Sequence, residues 1–409
     1  MSAAAETAST TGALGSIRWG VLAICAVAAT VEGYDLQVVG YVAPAISREW
    51  NLAAGAFGPT FSIGLVGLML GCLFIAPLSD RLGRKTIIVG STVAYSVLVL
   101  ASAAADSLST LFWMRLATGI GLGGALPNIA ASAAEASPQK FRATTVAILF
   151  CGFGFGSFVG GFVAFLLIEN YGWQSVFIFG GAAALVMAPV LAFGLPRPRE
   201  NRRAAVERKD AMPVLALMQE GRARATILLW LVYFMGLMDL YLLASWLPTI
   251  ITEQGITLGL ANVVTGLMQV SGFAGALILS PIVDRYGPNP VLPLAYVFAA
   301  ICIVAIGMAG SSIFLTTAAV LGAGFGIVGC QNCDNGVAAK LYPARIRGTG
   351  VGWALGVGRL GSILGPYLVG RALAASVDIQ TIFLFSAIPA LIAAAAYLAM
   401  GRVRMATED

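Results

Sequence analysis

The chain contains no histidine in 409 residues, and only 24 of them are Lys or Arg and 19 Asp or Glu. That is 11% charged, against roughly 25% in soluble globular domains. A soluble fold of this composition has too few charges to cover its surface. The same shortage excludes an intrinsically disordered chain, which needs low hydrophobicity and high net charge, and a nucleic-acid binder, which needs a basic face. Without histidine, a metal-ligand cluster or a phosphate-binding loop, no enzyme constellation is visible, and neither a metal nor a cofactor is expected. Cys25, Cys72, Cys151, Cys302, Cys330 and Cys333 all lie in apolar stretches and read as small buried hydrophobes. Cys330-Gln-Asn-Cys333 has redox spacing, but its surroundings are an apolar segment rather than a βαβ unit. The first 16 residues have no basic region followed by a short apolar core and cleavage site, so no removed signal peptide is expected.

What is present is apolar sequence, 59% of the chain, with a mean hydropathy of +0.88. A membrane helix takes about 20 apolar residues, so a chain of this length holds roughly a dozen. The runs are continuous rather than short and alternating, which excludes a transmembrane β-barrel and predicts an all-α membrane protein. Polar punctuation gives twelve spans, at 18–46, 57–79, 86–105, 110–135, 143–168, 175–195, 225–252, 261–283, 291–310, 313–339, 348–374 and 381–400. The longest polar interval, 196–224, divides two six-helix halves, 18–195 and 225–400, and tails of 1–17 and 401–409 flank them. Lys and Arg near span ends are retained in the cytoplasm. Twenty of the 24 basic residues fall on one side when both termini are cytoplasmic, with Arg48, Arg115, Arg359 and Arg371 the exceptions. A multi-pass protein of the cytoplasmic membrane, its termini inside, is the expectation.

An internal repeat supports the division. Asp80-Arg-Leu-Gly83 recurs as Asp284-Arg-Tyr-Gly287, an offset of 204 residues. Phe141-Arg142-Ala-Thr144 recurs as Ile346-Arg347-Gly-Thr349 at 205, and Gly156 and Gly160 then fall on Gly361 and Gly365. Two parallel six-helix halves with a site at their interface near the midplane make the architecture of a rocking transporter.

The motifs carry a resemblance. Asp80-Arg81-Leu-Gly83-Arg84-Lys85 resembles the loop signature of the major facilitator superfamily, and Arg115-x-x-x-Gly119-x-Gly121 is similar to its fourth-span signature. Glu32-Gly-Tyr-Asp35, Gly121-Leu-Gly-Gly-Ala-Leu-Pro127-Asn128, Ser245-Trp-Leu-Pro248 and Tyr342-Pro-Ala-Arg345 running into Gly350-x-Gly-Trp353 resemble the aromatic acid:proton symporters within it. The resemblance covers essentially all spans. There are departures: Ala76 replaces the loop motif's first Gly, Glu32 replaces an Asp while keeping the carboxyl, and Asp334 and Asp239 stand where many members of the family are expected to carry neutral residues, which bears on the substrate more than on the mechanism. The resemblance implies import of a hydroxybenzoate-like carboxylate with protons, by alternating access and as a monomer, with the proton gradient as energy source.

The charges inside the spans carry the chemistry. At about 1.5 Å per residue, Glu32 and Asp35 lie within the bilayer, one helical turn apart on one face. Intramembrane carboxyls are costly and functional by default. With no histidine as relay, the coupling proton is expected on Asp35 first, Glu32 second, and Asp239 in the seventh span as a further group; a static ion pair is the plain alternative. Arg359, about eleven residues into its span, sits near the midplane. Its planar fork suits a carboxylate, with Asp334 or Asp239 as the alternative permanent partner. Tyr34, Phe153, Phe155, Trp246 and Trp353 are candidates to flank an aromatic ring, or else pack against lipid and neighbours. Arg115 either snorkels to water or pairs with Asp35. Asn128, Gln331, Asn332 and Asn335 either orient substrate polar groups or tie helices together. Asp80, Arg81, Gly83, Arg84, Arg142 and Asp284 form a candidate cytoplasmic gate, Asp80 capping a helix or pairing with Arg142. Lys85 and Arg84 serve equally as topology signals. Glycines at three- and four-residue spacing in the fifth and eleventh spans read as moving interfaces.

Two other readings stand beside the importer. Gly156-Ser157-Phe-Val-Gly160-Gly161 is similar to a fifth-span signature of drug:proton antiporters, with Ser157 in place of its proline. Such an exporter has no use for a midplane Arg. A non-transporting receptor predicts no buried charges and a larger soluble domain.

Overall fold

The computed structural model describes residues 18–138, 141–196, 214–219, 221–343 and 346–401. The N-terminal tail, most of the central loop, Lys140, Arg345 and the tail beyond Gly401 lie outside them. Among the described residues the chain forms twelve long helices: α1 Trp19–Glu49, α2 Gly58–Leu82, α3 Arg84–Ser102, α4 Leu108–Glu135, α5 Arg142–Tyr171, α6 Gln174–Gly194, α7 Ala223–Glu253, α8 Leu258–Tyr286, α9 Pro288–Met308, α10 Ile313–Leu341, α11 Arg347–Ala374 and α12 Ile379–Met400. Every expected span has its helix, with ends shifted by a few residues. Ten of the twelve are long and apolar enough to cross a membrane. The other two, α4 and α11, are rich in glycine and each carries an arginine, Arg115 or Arg359, at depth.

Helices are what apolar runs must form where no water satisfies the backbone. Their ends follow local chemistry. Ser107 and Asp378 cap α4 and α12, accepting from the amides of Thr110 (3.2 Å) and Thr381 (2.9 Å). The amides facing Asp378 hold its carboxyl below the usual carboxylate range. Gly83 joins α2 to α3 with φ +86°, and Gly287, one repeat later, joins α8 to α9 with the same φ. An L side chain rarely adopts that conformation, which explains the glycine in both Asp-Arg-x-Gly turns.

The repeat is visible in the packing. In α5, a Cβ at Gly156 would strike the Thr30 carbonyl of α1; in α11, one at Gly361 would strike the Phe234 carbonyl of α7. Both residues of the first pair are carried onto the second by offsets of 204 or 205. Gly119 against Gly64 and Gly324 against Met268 repeat the same way between α2 and α4 and between α8 and α10. Between the halves, Gly40 of α1 faces Ala244 of α7, its own counterpart 204 residues on. Contact between equivalent residues is what a two-fold axis requires, so the pseudo-axis passes here.

One end of the bundle carries Arg18, Asp80, Arg84, Asp284 and Lys340, and is called the basic end; Trp50, Gly55 and Gly370 lie at the other. The halves meet toward the Trp50 end. There Gly55 and Gly58 abut Gly370, Ser62 Oγ donates to the Ile363 carbonyl (2.7 Å), and Asn262 and Gly266 of α8 press on Gly161 and Phe158 of α5. Toward the basic end, Gly348, Gly352 and Gly356 of α11 have open space around them, and Leu73, Phe74 and Trp353 are exposed. The structure is closed at the Trp50 end and open at the basic end.

Candidate functional site

α1 brings Glu32 and Asp35 into the interior, 1% and 0% exposed, and none of their four carboxyl oxygens has a hydrogen-bond partner. Asp35 points at α6, where Gly180 leaves room for its Oδ1. Glu32 lies within electrostatic reach of Tyr95 on α3 and Cys72 on α2. Arg115 does not snorkel. It is buried, and its Nη2 donates to the main-chain carbonyl of Asp35 (3.1 Å), leaving Nη1 without a partner. Neither alternative of the sequence reading is what the structure shows: Arg115 is buried, and it meets the backbone of Asp35 rather than its carboxylate.

Arg359 is half-buried on α11, turned towards α7. Its Nη1 donates to the Tyr241 hydroxyl (2.9 Å), and its Cζ stands 5.8 Å from the centre of that ring. Among the described residues no carboxylate lies within ion-pair distance of it. This corrects the permanent partnership with Asp334 or Asp239. Asp334 accepts from the hydroxyls of Tyr296 (2.7 Å) and Tyr397, on α9 and α12 of its own half. Asp239 is fully buried with no side-chain partner, its carboxyl facing the backbone N–H of Ala390 in α12. It precedes Tyr241 by two positions, about 200° around the helix, so it lies on the far face of α7 from Arg359.

Tyr241 is the residue that sequence reasoning missed. One tyrosine among eleven gives no signal of its own; only its position two residues after Asp239 and opposite Arg359 marks it out. Tyr241 also lines a small cavity between the halves, together with Gln37, Thr60, Arg115 and Ser245 and apolar neighbours. Cys72, in the π-helical stretch Gly71–Ile75 of α2, lies within electrostatic reach of both Arg359 and Glu32.

The flanking candidates separate. Tyr34 is committed to α6, its hydroxyl donating to the Val176 carbonyl (2.8 Å) and its ring against Phe179. Trp246 bridges the halves, donating to the Pro366 carbonyl (2.9 Å) with its ring edge-on to Phe61 of α2 (5.1 Å). Trp353 stacks on Trp230 near the basic end, Phe153 is half-buried against α1, and Phe155 is exposed. Asn128 Nδ2 donates to the carbonyls of Gly124 (2.9 Å) and Ala76 (3.3 Å), so it ties α4 to α2 where the π-helical turn ends. Asn332 and Asn335 donate to carbonyls of their own helix, and Asn335 also accepts from Tyr233 (2.8 Å). Gln331 is buried with both amide atoms unpartnered.

At the basic end the ion pairs stay within each half. Arg84 pairs with Glu135 (2.6 Å), and Asp284 with Lys340 (2.6 Å). The first pair joins α3 to α4 and the second α8 to α10; the offset of 205 carries Glu135 onto Lys340, so the equivalent ends of α4 and α10 carry opposite charge. Lys85 donates to the Leu195 carbonyl at the end of α6 (2.8 Å). Asp80, Arg81 and Arg142 are exposed there.

The profile of the Major Facilitator Superfamily matches residues 25–366. A gallate transporter of Pseudomonas putida is 36% identical over 420 residues, spanning 96% of this chain and 94% of the relative. A 4-hydroxybenzoate transporter of Pseudomonas aeruginosa is 34% identical over 95% and 94%, and a 3-(3-hydroxy-phenyl)propionate transporter of Escherichia coli 37% identical over 86% of each. Among solved structures, a bacterial homolog of the human lysosomal transporter Spinster, inward-facing and occupied, superposes with a TM-score of 0.77 at 18% identity, covering 95% and 97%. The inward-open xylose transporter of E. coli gives 0.73 at 16%, covering 94% and 96%. Twelve helices in two repeated halves, a match over most of the chain and relatives at over 30% identity agree: the chain belongs to the Major Facilitator Superfamily and is a multi-pass membrane protein.

Proposed function

We propose that the protein is a proton-coupled symporter that imports an aromatic carboxylate across the cytoplasmic membrane by alternating access, as a monomer with both termini inside. The observation that carries the reading is Arg359. A guanidinium held by a tyrosine hydroxyl and meeting no protein carboxylate has a charge and a planar fork left for an anion. The relatives named for gallate, 4-hydroxybenzoate and hydroxyphenylpropionate transport support an aromatic acid as that anion. The basic end faces the cytoplasm under the positive-inside rule, so the opening lies inward and the contacts of Gly55, Gly58 and Ser62 seal the outer side.

Coupling follows from the carboxyls. Two unpaired buried acids on α1 are expensive to leave ionised together. A proton taken from outside neutralises one of them, and its release inward accompanies release of the substrate. Asp35, beside Arg115, is the first choice for that carrier and Glu32 the alternative.

The test is uptake of radiolabelled gallate, 4-hydroxybenzoate, protocatechuate and benzoate into proteoliposomes under an inward proton gradient. Saturable accumulation of at least one acid, with alkalinisation outside, is expected. Proton release from the vesicles driven by a lipophilic cation, with no acid taken up, would establish the antiporter instead.

A further inference from the structure

The offset of 204 residues that carries Asp80 onto Asp284 and Gly40 onto Ala244 also carries Asp35 onto Asp239. The two aspartates occupy equivalent places. Each sits on the first helix of its half, fully buried, directed at the last helix of that half, with no side-chain hydrogen-bond partner for its carboxyl; Asp239 also faces the backbone amide of Ala390. Asp35 meets the gap at Gly180 of α6. Asp239 meets Ala390 of α12, in the first turn after Ala387 divides that helix into Ile379–Ser386 and Ile388–Met400. The mechanism proposed above uses only the α1 site.

Charge balance separates the two halves. In the N-terminal half, Glu32, Asp35 and Arg115 bring two carboxyls and one guanidinium together, so one proton makes the group neutral. In the C-terminal half the charged and titratable groups near α7 are otherwise engaged. Arg359 of α11 is held by Tyr241 on the opposite face, and Asp334 of α10 takes hydroxyl donors from Tyr296 of α9 and Tyr397 of α12. From α1, Gly40 meets α7 at Ala244, more than a turn from Asp239, and Gln331 of α10, uncharged, reaches Gly236 one turn before it. No cation among the described residues pairs with Asp239. A carboxylate that faces one backbone amide and no cation in a low-dielectric interior is costly to leave ionised, and a proton removes that charge.

We propose that Asp239 is the second proton site of a two-proton cycle, so that each aromatic carboxylate anion enters with two protons and one net positive charge. The proposal rests on the symport reading. In the step itself, an Asp239 carboxyl oxygen takes a proton when the site opens outward and returns it to water at the basic end. No other bond changes.

The experiment measures static-head accumulation of labelled 4-hydroxybenzoate or gallate in proteoliposomes, with a pH difference of about one unit and the potential clamped to zero by potassium and valinomycin. Each coupled proton multiplies accumulation by about ten per pH unit. The wild type is expected to reach about a hundredfold, and to give an inward positive current on substrate addition when unclamped. Asp239→Asn is expected to fall to about tenfold with no current while still transporting, and Asp239→Glu to restore both. Tenfold accumulation without current in the wild type would overturn the proposal, as would an unchanged hundredfold in Asp239→Asn. Should the Asn variant fail to fold, Asp239→Ser is read in its place with the same expected fall to about tenfold without current. No uptake of any acid by the wild type would overturn the symport reading and the proposal together.

Discussion

Under the proposed function, Arg359 and Tyr241 act on the substrate carboxylate as a clamp in which charge and direction come from different residues. The arginine supplies two parallel donors, and the tyrosine hydroxyl fixes the rotation of the fork by accepting from Nη1. Tyr241→Phe keeps the ring under the guanidinium and removes only the acceptor. Losing a hydrogen bond to a charged group costs on the order of 1.5 kcal/mol, so KM is expected to rise about tenfold with the maximal rate within a factor of about two. Arg359→Lys keeps the charge and loses the fork, and a larger loss of affinity is expected in equilibrium binding of the labelled acid; wild-type affinity in that variant would remove the clamp. On α1, Asp35→Asn is expected to abolish accumulation driven by a proton gradient while leaving exchange of internal for external substrate intact, because exchange needs no net proton movement. Counterflow measured beside uptake separates the two.

At the scale of helices, glycine decides where backbones touch. Gly156 against Thr30 and Gly361 against Phe234 are the same contact made twice, and a methyl group at either position collides with a carbonyl that cannot move independently of its helix. Gly156→Ala and Gly361→Ala are each expected to cost about 1–3 kcal/mol and to lower the melting temperature in detergent, whereas Gly352→Ala, with open space around it, is expected to leave it unchanged. Much of this level is legible in the sequence. Apolar length places ten of the spans and polar punctuation the glycine-rich α4 and α11, the Asp-Arg-x-Gly repeat marks the halves, and glycine spacing points to α5 and α11. What is not legible is rotation about each helix axis, because it depends on partners distant in the chain. Tyr34 turns to α6 rather than to a ring site, Asp334 turns to two tyrosines rather than to Arg359, and Tyr241 carries no motif at all. The π-helical turn of α2, and the assignment of Asn128 to the Ala76 carbonyl beyond it, depend likewise on how α2 and α4 meet.

For the whole molecule, the two-fold relation between halves has a mechanical consequence. Equivalent residues meet at Gly40 and Ala244, so the pseudo-two-fold axis, which runs along the bundle, passes through this contact, and the halves rocking against each other with this contact as the pivot must open the Trp50 end as the basic end closes. The contacts that would have to part are those of α2 with α11, where Ser62 reaches the Ile363 carbonyl and Gly58 lies against Gly370. Joining them should hold the protein open at the basic end. In a background lacking the six native cysteines, Ser62→Cys with Ile363→Cys, bridged by a short reversible crosslinker, is expected to stop transport, and reduction to restore it. Binding is the discriminating measurement. Because the clamp of Arg359 and Tyr241 stays accessible from the basic end, the crosslinked protein is expected to bind labelled acid with an affinity within about threefold of the reduced form when ligand is offered on that side, and to bind none offered only from the other. Transport persisting at the wild-type rate under full crosslinking would show that the α2–α11 contact does not part during the cycle, and the rocking axis would have to be placed elsewhere.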